Sequence, residues 1–144
     1  MFEKIMVVCI GNICRSPVAE AMLTQRLPGK VITSAGLGAL VGRGVEPIAR
    51  KLAEADGLDV GEHVARQVSR ELLRQVDLVL VMSDGQRHAI GEMSPAALGK
   101  TMLLGHWLER DIKEIPDPYR KSEEVFEFVH RRLVLAADTW AKKL

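Results

Sequence analysis

Sulfur and aromatic rings are scarce in this chain of 144 residues, which has two cysteines, one tyrosine, two tryptophans and three phenylalanines. Cys9 and Cys14 cannot supply the several bridges of a secreted disulfide framework, and the four histidines are scattered without zinc-like spacing. No apolar run approaches the roughly 18 residues of a membrane span, and the N-terminus lacks the basic, apolar and small-residue order of a secretory signal. Charge of one sign is missing too: 20 Lys and Arg against 19 Asp and Glu give a formal net charge of +1, which exerts no general pull on nucleic acid or anionic lipid. These absences lead us to expect a thiol protein of the reducing cytoplasm, with no metal, no cofactor and no membrane insertion, whose affinity for any anion is local. Hydrophobic residues at 47% and charged residues at 27% are near the globular average, and the length suits one domain over 1–144.

The densest chemistry lies at the start, in Cys9-Ile10-Gly11-Asn12-Ile13-Cys14-Arg15-Ser16-Pro17. The β-branched run before it reads as a strand, and Ser16-Pro17 reads as an N-cap and first-turn proline of a following helix. A loop over a helix start offers unpartnered N–H groups and the positive end of the macrodipole, which suits a tetrahedral dianion. Gly11 and Asn12 tolerate the positive φ that turns consecutive amides inward. Cys9 would open this cradle and Arg15 close it, and both features favour a thiolate over a thiol. The Arg15 guanidinium can bind two phosphate oxygens at once, and the Ser16 hydroxyl can donate to sulfur when sulfur must leave. Phosphoryl transfer to Cys9 followed by hydrolysis is the chemistry this pattern suggests.

The remaining chain reads as alternating helix and strand. The first helix is expected to run to about Leu27 and a second strand to cover 31–35, which together with the first strand implies parallel pairing. Glycines crowd 36–44, expected to be a mobile loop near the site. A helix over 47–56 would place Ile48, Leu52 and Ala55 on one face, and Ser69 would cap a short helix bearing Leu72 and Leu73. The apolar run 78–82 suits a strand buried on both faces; a weaker helix over 86–93, a strand over 101–104 and a long loop over 105–121 follow. Ser122 caps the last helix, where Val125, Phe128, Val129, Leu133 and Ala136 fall at helical spacing. The fold class is therefore α/β: a single doubly wound sheet of four parallel strands with helices on both faces and a phosphate-binding loop after the first strand.

The segment from Cys9 to Pro17 resembles the signature of the low-molecular-weight protein tyrosine phosphatases, and within them the bacterial branch associated with capsule and exopolysaccharide export. The resemblance covers the whole chain. It implies that Cys9 is the nucleophile, that Arg15 holds the phosphate with Ile10, Gly11, Asn12, Ile13, Cys14 and Ser16, and that Asp117 in Ile115-Pro116-Asp117-Pro118-Tyr119 is general acid and then general base. Tyr119 would then be a wall for the substrate ring. Ser34 and the run His63-Val64-Ala65-Arg66-Gln67 resemble positions that hold Asn12 in its strained conformation, and Cys14 resembles a cysteine that protects Cys9 through a reversible disulfide. Leu40 stands where other branches place an aromatic pocket wall, and Ser83 where many relatives carry an acidic residue. The implied substrate is a phosphotyrosine protein, specifically the tyrosine-rich tail of a bacterial tyrosine kinase, with inorganic phosphate as product and no nucleic acid as partner.

Two other functions compete. An arsenate reductase uses such a loop but needs thiols to carry electrons away, and only Cys9 and Cys14 are present. A non-catalytic phosphate-binding module would need neither Cys9 nor Asp117.

Overall fold

The computed structural model describes residues 2–144. Its sheet is built from β1 (Lys4–Cys9), β2 (Val31–Gly36), β3 (Leu78–Val81) and β4 (Thr101–Leu103), all parallel, in the order β2-β1-β3-β4. Side chains of a strand alternate between faces, and β1 uses both. Ile5, Val7 and Cys9 enter one buried cluster, while Met6 and Val8 enter the other. The first cluster is covered by α1 (Arg15–Arg26), α2 (Pro47–Ala55) and α5 (Glu123–Lys143); the second by α3 (Arg70–Arg74) and α4 (Asp84–Met93). This is the doubly wound arrangement expected from the alternating pattern. Because the chain leaves β1 for β2 on one side and later places β3 on the other, the winding reverses at β1, and the crevice beyond its carboxyl end is the natural ligand site.

Several local readings change. Helix α1 begins at Arg15 with Cys14 in the cap position and no side-chain cap, so Ser16 lies inside the first turn and its hydroxyl is free for the site. On α2 the innermost residues are Ala49 and Ala53; Ile48 and Leu52 pack beside them, and Ala55 is exposed. On α5 the buried stripe is Phe126, Val129, Leu133, Ala136, Ala137 and Trp140, while Phe128 is 43% exposed and lies under the Arg132 guanidinium. Phe126 and Phe128 are two residues apart, about 200° around a helix, so only one can face the core. Helix α4 starts two residues earlier than expected because Ser83 caps it, its hydroxyl accepting from Gln86 N at 3.2 Å. That gives Ser83 a structural role of its own. Leu104 lies beyond β4, although its N–H still bonds Val81 O at 2.7 Å.

The glycine-rich segment is pinned down. Leu37, Gly38 and Leu40 donate their N–H groups to the carbonyls of Cys9, Ile10 and Gly11, and Gly42 donates to Ala65 O. Gln67 adds two bonds from its side chain, accepting from Ala39 N at 2.9 Å and donating to Leu37 O at 2.8 Å. Gly36 is where a side chain is forbidden, since a Cβ there would run into the Ile10 carbonyl. The segment expected to be mobile is the outer brace of the loop after β1.

Candidate active site

The amides of the loop after β1 are aimed by what their carbonyls do. Cys9 O, Ile10 O and Gly11 O accept from the brace at 2.9, 3.0 and 3.0 Å, and Ile13 O accepts from Glu46 N at 2.8 Å. Asn12 O accepts from His63 Nε2 at 2.7 Å, so that nitrogen carries the proton. In a trans peptide the N–H points away from the C=O, so with the carbonyls held outward the amides turn toward the concave side. Asn12 takes the backbone strain with φ 58, whereas Gly11, expected to share it, has no positive φ.

The Asn12 side chain is saturated. Its Nδ2 donates to Ser16 Oγ at 2.8 Å and to Ser34 Oγ at 3.0 Å, and its Oδ1 accepts from Arg66 N at 2.9 Å. A fully buried amide in the left-handed region is stable only when so over-determined. Ser34 and His63 therefore stand against Asn12, one on its side chain and one on its carbonyl.

Cys9 is buried at the floor, with Ser16 Oγ 2.9 Å from its sulfur. Ser16 already accepts from Asn12, which leaves its own proton free to point at sulfur. Arg15, at the first position of α1, is 4% exposed. Its Nη1 donates to Ile115 O at 2.8 Å, its Nη2 lies 3.7 Å from Asp117 Oδ2, and its buried Nε has no hydrogen-bond partner among the described residues. A buried, unpartnered donor beside a loop of amides suits an oxyanion.

A cavity of about 150 Å³ opens above the thiol, lined by Cys9, Ile10, Gly11, Ile13, Cys14, Arg15, Gly38, Leu40, Asp117 and Tyr119. Residues named from sequence thus come together from three separate stretches. Asp117 is half exposed on the rim, with Oδ1 accepting from Tyr119 N at 3.0 Å. The walls at Ile10, Ile13, Leu40 and Tyr119 are apolar, which suits a flat ring above a phosphate. Sequence reasoning missed Gly38 as a lining residue, Gln67 and Gly36 as the brace, and the Arg15 bond to Ile115 that ties the loop to the Asp117 segment. The crowding of glycine at 36–44 hinted at the brace, and the run 63–67 was expected to support Asn12 rather than the glycine-rich segment.

Cys14 lines this cavity and also a smaller apolar one, with Val18, Ala49, Phe126 and Pro118. Burial, then the negative charge of Glu46, pushes its thiol up to about 12. Both cysteines are free thiols. A larger groove of about 430 Å³ between α1 and 57–63 reaches His63 from behind, and it holds carboxylates but no nucleophile.

A thiol beneath a cradle of amides, closed by a guanidinium and faced by a carboxylate, on a doubly wound sheet, defines the class of thiol-dependent phosphatases. The family model for low molecular weight phosphotyrosine protein phosphatases matches residues 4–144, and the chain belongs to that family. It is 48% identical to the low molecular weight protein-tyrosine-phosphatase Wzb of Salmonella typhimurium over 144 residues, 100% of this chain and 95% of the relative. Among solved structures, the tyrosine phosphatase Wzb of Escherichia coli K30 in complex with sulphate is 48% identical with a TM-score of 0.96, covering 99% of both chains. Vibrio vulnificus Wzb in complex with benzylphosphonate is 43% identical with the same TM-score of 0.96, covering 100% of both. A more distant one, the YwlE arginine phosphatase of Geobacillus stearothermophilus, is 31% identical with a TM-score of 0.90, covering 99% of this chain and 92% of that one.

Proposed function

We propose that the chain is a single catalytic domain that hydrolyses phosphotyrosine in proteins through a cysteinyl-phosphate intermediate. Cys9 Sγ attacks phosphorus while the bond from phosphorus to the tyrosine oxygen breaks, and Asp117 gives that oxygen its proton. The loop amides and Arg15, through Nε and Nη2, hold the equatorial oxygens as charge spreads over them. Asp117, now a carboxylate, takes a proton from water, whose oxygen attacks phosphorus. The bond from sulfur to phosphorus breaks, the Ser16 hydroxyl donates to the departing sulfur, and inorganic phosphate leaves.

The observation that carries this reading is the buried, unpartnered Nε of Arg15, a residue that lines the same cavity as Cys9. The benzylphosphonate bound by the Vibrio relative supports an aryl substrate, as do the apolar walls here. Residues in the roles of Cys9 and Asp117 are superfluous in a binding module, and with two cysteines in the chain an arsenate reductase lacks a thiol relay. As physiological substrate we propose the tyrosine-rich tail of a bacterial tyrosine kinase of polysaccharide export, met by this chain in the cytoplasm, on the strength of the branch that the signature resembles. No helix among the described residues is long and apolar enough to cross a membrane.

Phosphate release from phosphotyrosine, phosphoserine and phosphoarginine peptides, with arsenate reduction measured beside it, tests the reading. Phosphotyrosine should exceed the others by orders of magnitude, because a phosphate at the depth of Cys9 is reached by a ring and not by the short serine linker. Comparable release from phosphoserine would mean that the slot does not select by depth.

A further inference from the structure

Two described non-glycine residues have positive φ, Asn12 at 58 within the loop after β1 and Arg120 at 64 next to the cavity-lining Tyr119. Strain of this kind persists where the surroundings impose it, and it concentrates at working sites. For Asn12 the hydrogen bonds of its side chain and carbonyl account for it. Arg120 has no such account. It is the third residue of a turn closed by Lys121 N on Pro118 O at 2.9 Å, a position where positive φ ordinarily selects glycine or asparagine. An exposed arginine there gains nothing for the backbone, so its side chain is the part that matters.

That side chain lies over the pocket wall. The Arg120 guanidinium sits 5.4 Å from the centroid of the Tyr119 ring. Contact with the ring face steadies the planar group yet uses none of its N–H donors and leaves its charge intact. The neighbouring charge on the same rim is Asp117, whose carboxylate is engaged by Tyr119 N and faces Arg15. A peptide with an acidic group beside its phosphotyrosine would meet that carboxylate and be repelled, unless a cation stood on the same wall.

We propose that Arg120 is a specificity residue that binds an anionic group borne by the substrate next to the phosphotyrosine, which rests on the phosphotyrosine reading above. The anion is a side-chain carboxylate or the phosphate of a neighbouring phosphotyrosine, as a tyrosine-rich tail would present. Arg120 supplies a fork to it from the rim while Arg15 holds the phosphate being transferred.

The test uses the full chain and peptides of equal length with neutral flanks, an aspartate flank, or a second phosphotyrosine as the flank. At low salt the aspartate peptide should exceed the neutral one in kcat/KM by roughly two- to fivefold, mostly through KM, and the advantage should shrink in high salt. Arg120→Gly should bring the ratio to about one while its thermal midpoint equals or exceeds that of the wild type, since glycine accepts this φ without strain. Arg120→Lys should keep part of the preference. A larger gain from the second phosphate than from aspartate assigns the anion to a neighbouring phosphotyrosine; the reverse assigns it to a carboxylate. Equal and rapid turnover of all peptides by the wild type, or a preference that survives in Arg120→Gly, overturns the role of Arg120 alone. Failure to turn over any phosphotyrosine peptide overturns the phosphotyrosine reading and this role with it.

Discussion

The hydroxyl of Ser16 lies 2.9 Å from the sulfur of Cys9 and accepts from the amide of Asn12 at 2.8 Å, which leaves its own proton free to point at sulfur. Toward a thiolate, which can only accept, the serine is the donor, and it already stands in place. A thiolate leaving phosphorus is stabilised by such a bond, whereas a thiolate attacking phosphorus is, if anything, quieted by it.

Ser16→Ala should slow hydrolysis of the intermediate more than its formation. The fold should survive, because Asn12 Nδ2 keeps its bond to Ser34 Oγ. We expect kcat to fall by about tenfold or more with a pre-steady-state burst of phenol release, read by stopped-flow. A loss of kcat with no burst would place the serine in the first step instead.

Asn12 should show a reversed glycine effect. Asn12→Ala removes the bonds to Ser16, Ser34 and Arg66 and leaves a Cβ at φ 58, so it should cost about 2–4 kcal/mol in urea unfolding. Asn12→Gly loses the same bonds without the strain and should cost less. Equal losses would mean that the backbone at this position relaxes when the side chain is removed.

How far the sequence foretold this arrangement differs from residue to residue. The unbroken apolar runs of β1 and β3 declared a sheet covered on both faces, since a strand must match its two environments. Cys9 and Arg15 were legible because an apolar strand, Gly11-Asn12 and Ser16-Pro17 surround them together, whereas Asp117 was legible only through the resemblance of its segment to the family's. Ser16 carries both readings, cap and donor to sulfur, because the two demand the same residue type, and only the Cys14 position of the helix start rules out the cap. The brace was hidden, because its bonds at Leu37, Gly38 and Leu40 are backbone bonds, which any residue could make. Phe126 and Phe128 both satisfy a loose apolar count, and which one faces inward depends on the rotation of α5 against the sheet.

Cys14 should make the protein sensitive to alkali. Its thiol holds its proton to about 12 in the folded chain, chiefly because it is buried, while an unfolded cysteine loses its proton near pH 8.5. The folded state therefore binds the extra proton, so this contribution is complete below about pH 8.5 and is lost as pH rises toward 12. Urea midpoints at pH 7.5 and pH 10 should fall further in the wild type than in Cys14→Ala, and parallel losses would remove Cys14 as the cause. At neutral pH the protonated Cys14 should also stay unlabelled by iodoacetamide in the native protein, by peptide mass analysis.

Asp117 should matter in proportion to the basicity of the leaving group. Asp117→Asn should slow phosphotyrosine hydrolysis by about a hundredfold or more and para-nitrophenyl phosphate by much less, because a stable phenolate needs no proton to depart. Equal losses on both would make Asp117 a turn residue and direct the search for an acid to Asp84 or Asp111.

The covalent step itself is open to direct measurement. Wild-type enzyme mixed with para-nitrophenyl phosphate, quenched in acid within milliseconds and digested, should yield the peptide containing Cys9 heavier by one phosphoryl group, and Cys9→Ser should yield neither that peptide adduct nor turnover while still binding phosphate. A phosphoryl group found on another residue, or steady turnover by Cys9→Ser, would contradict nucleophilic catalysis by Cys9.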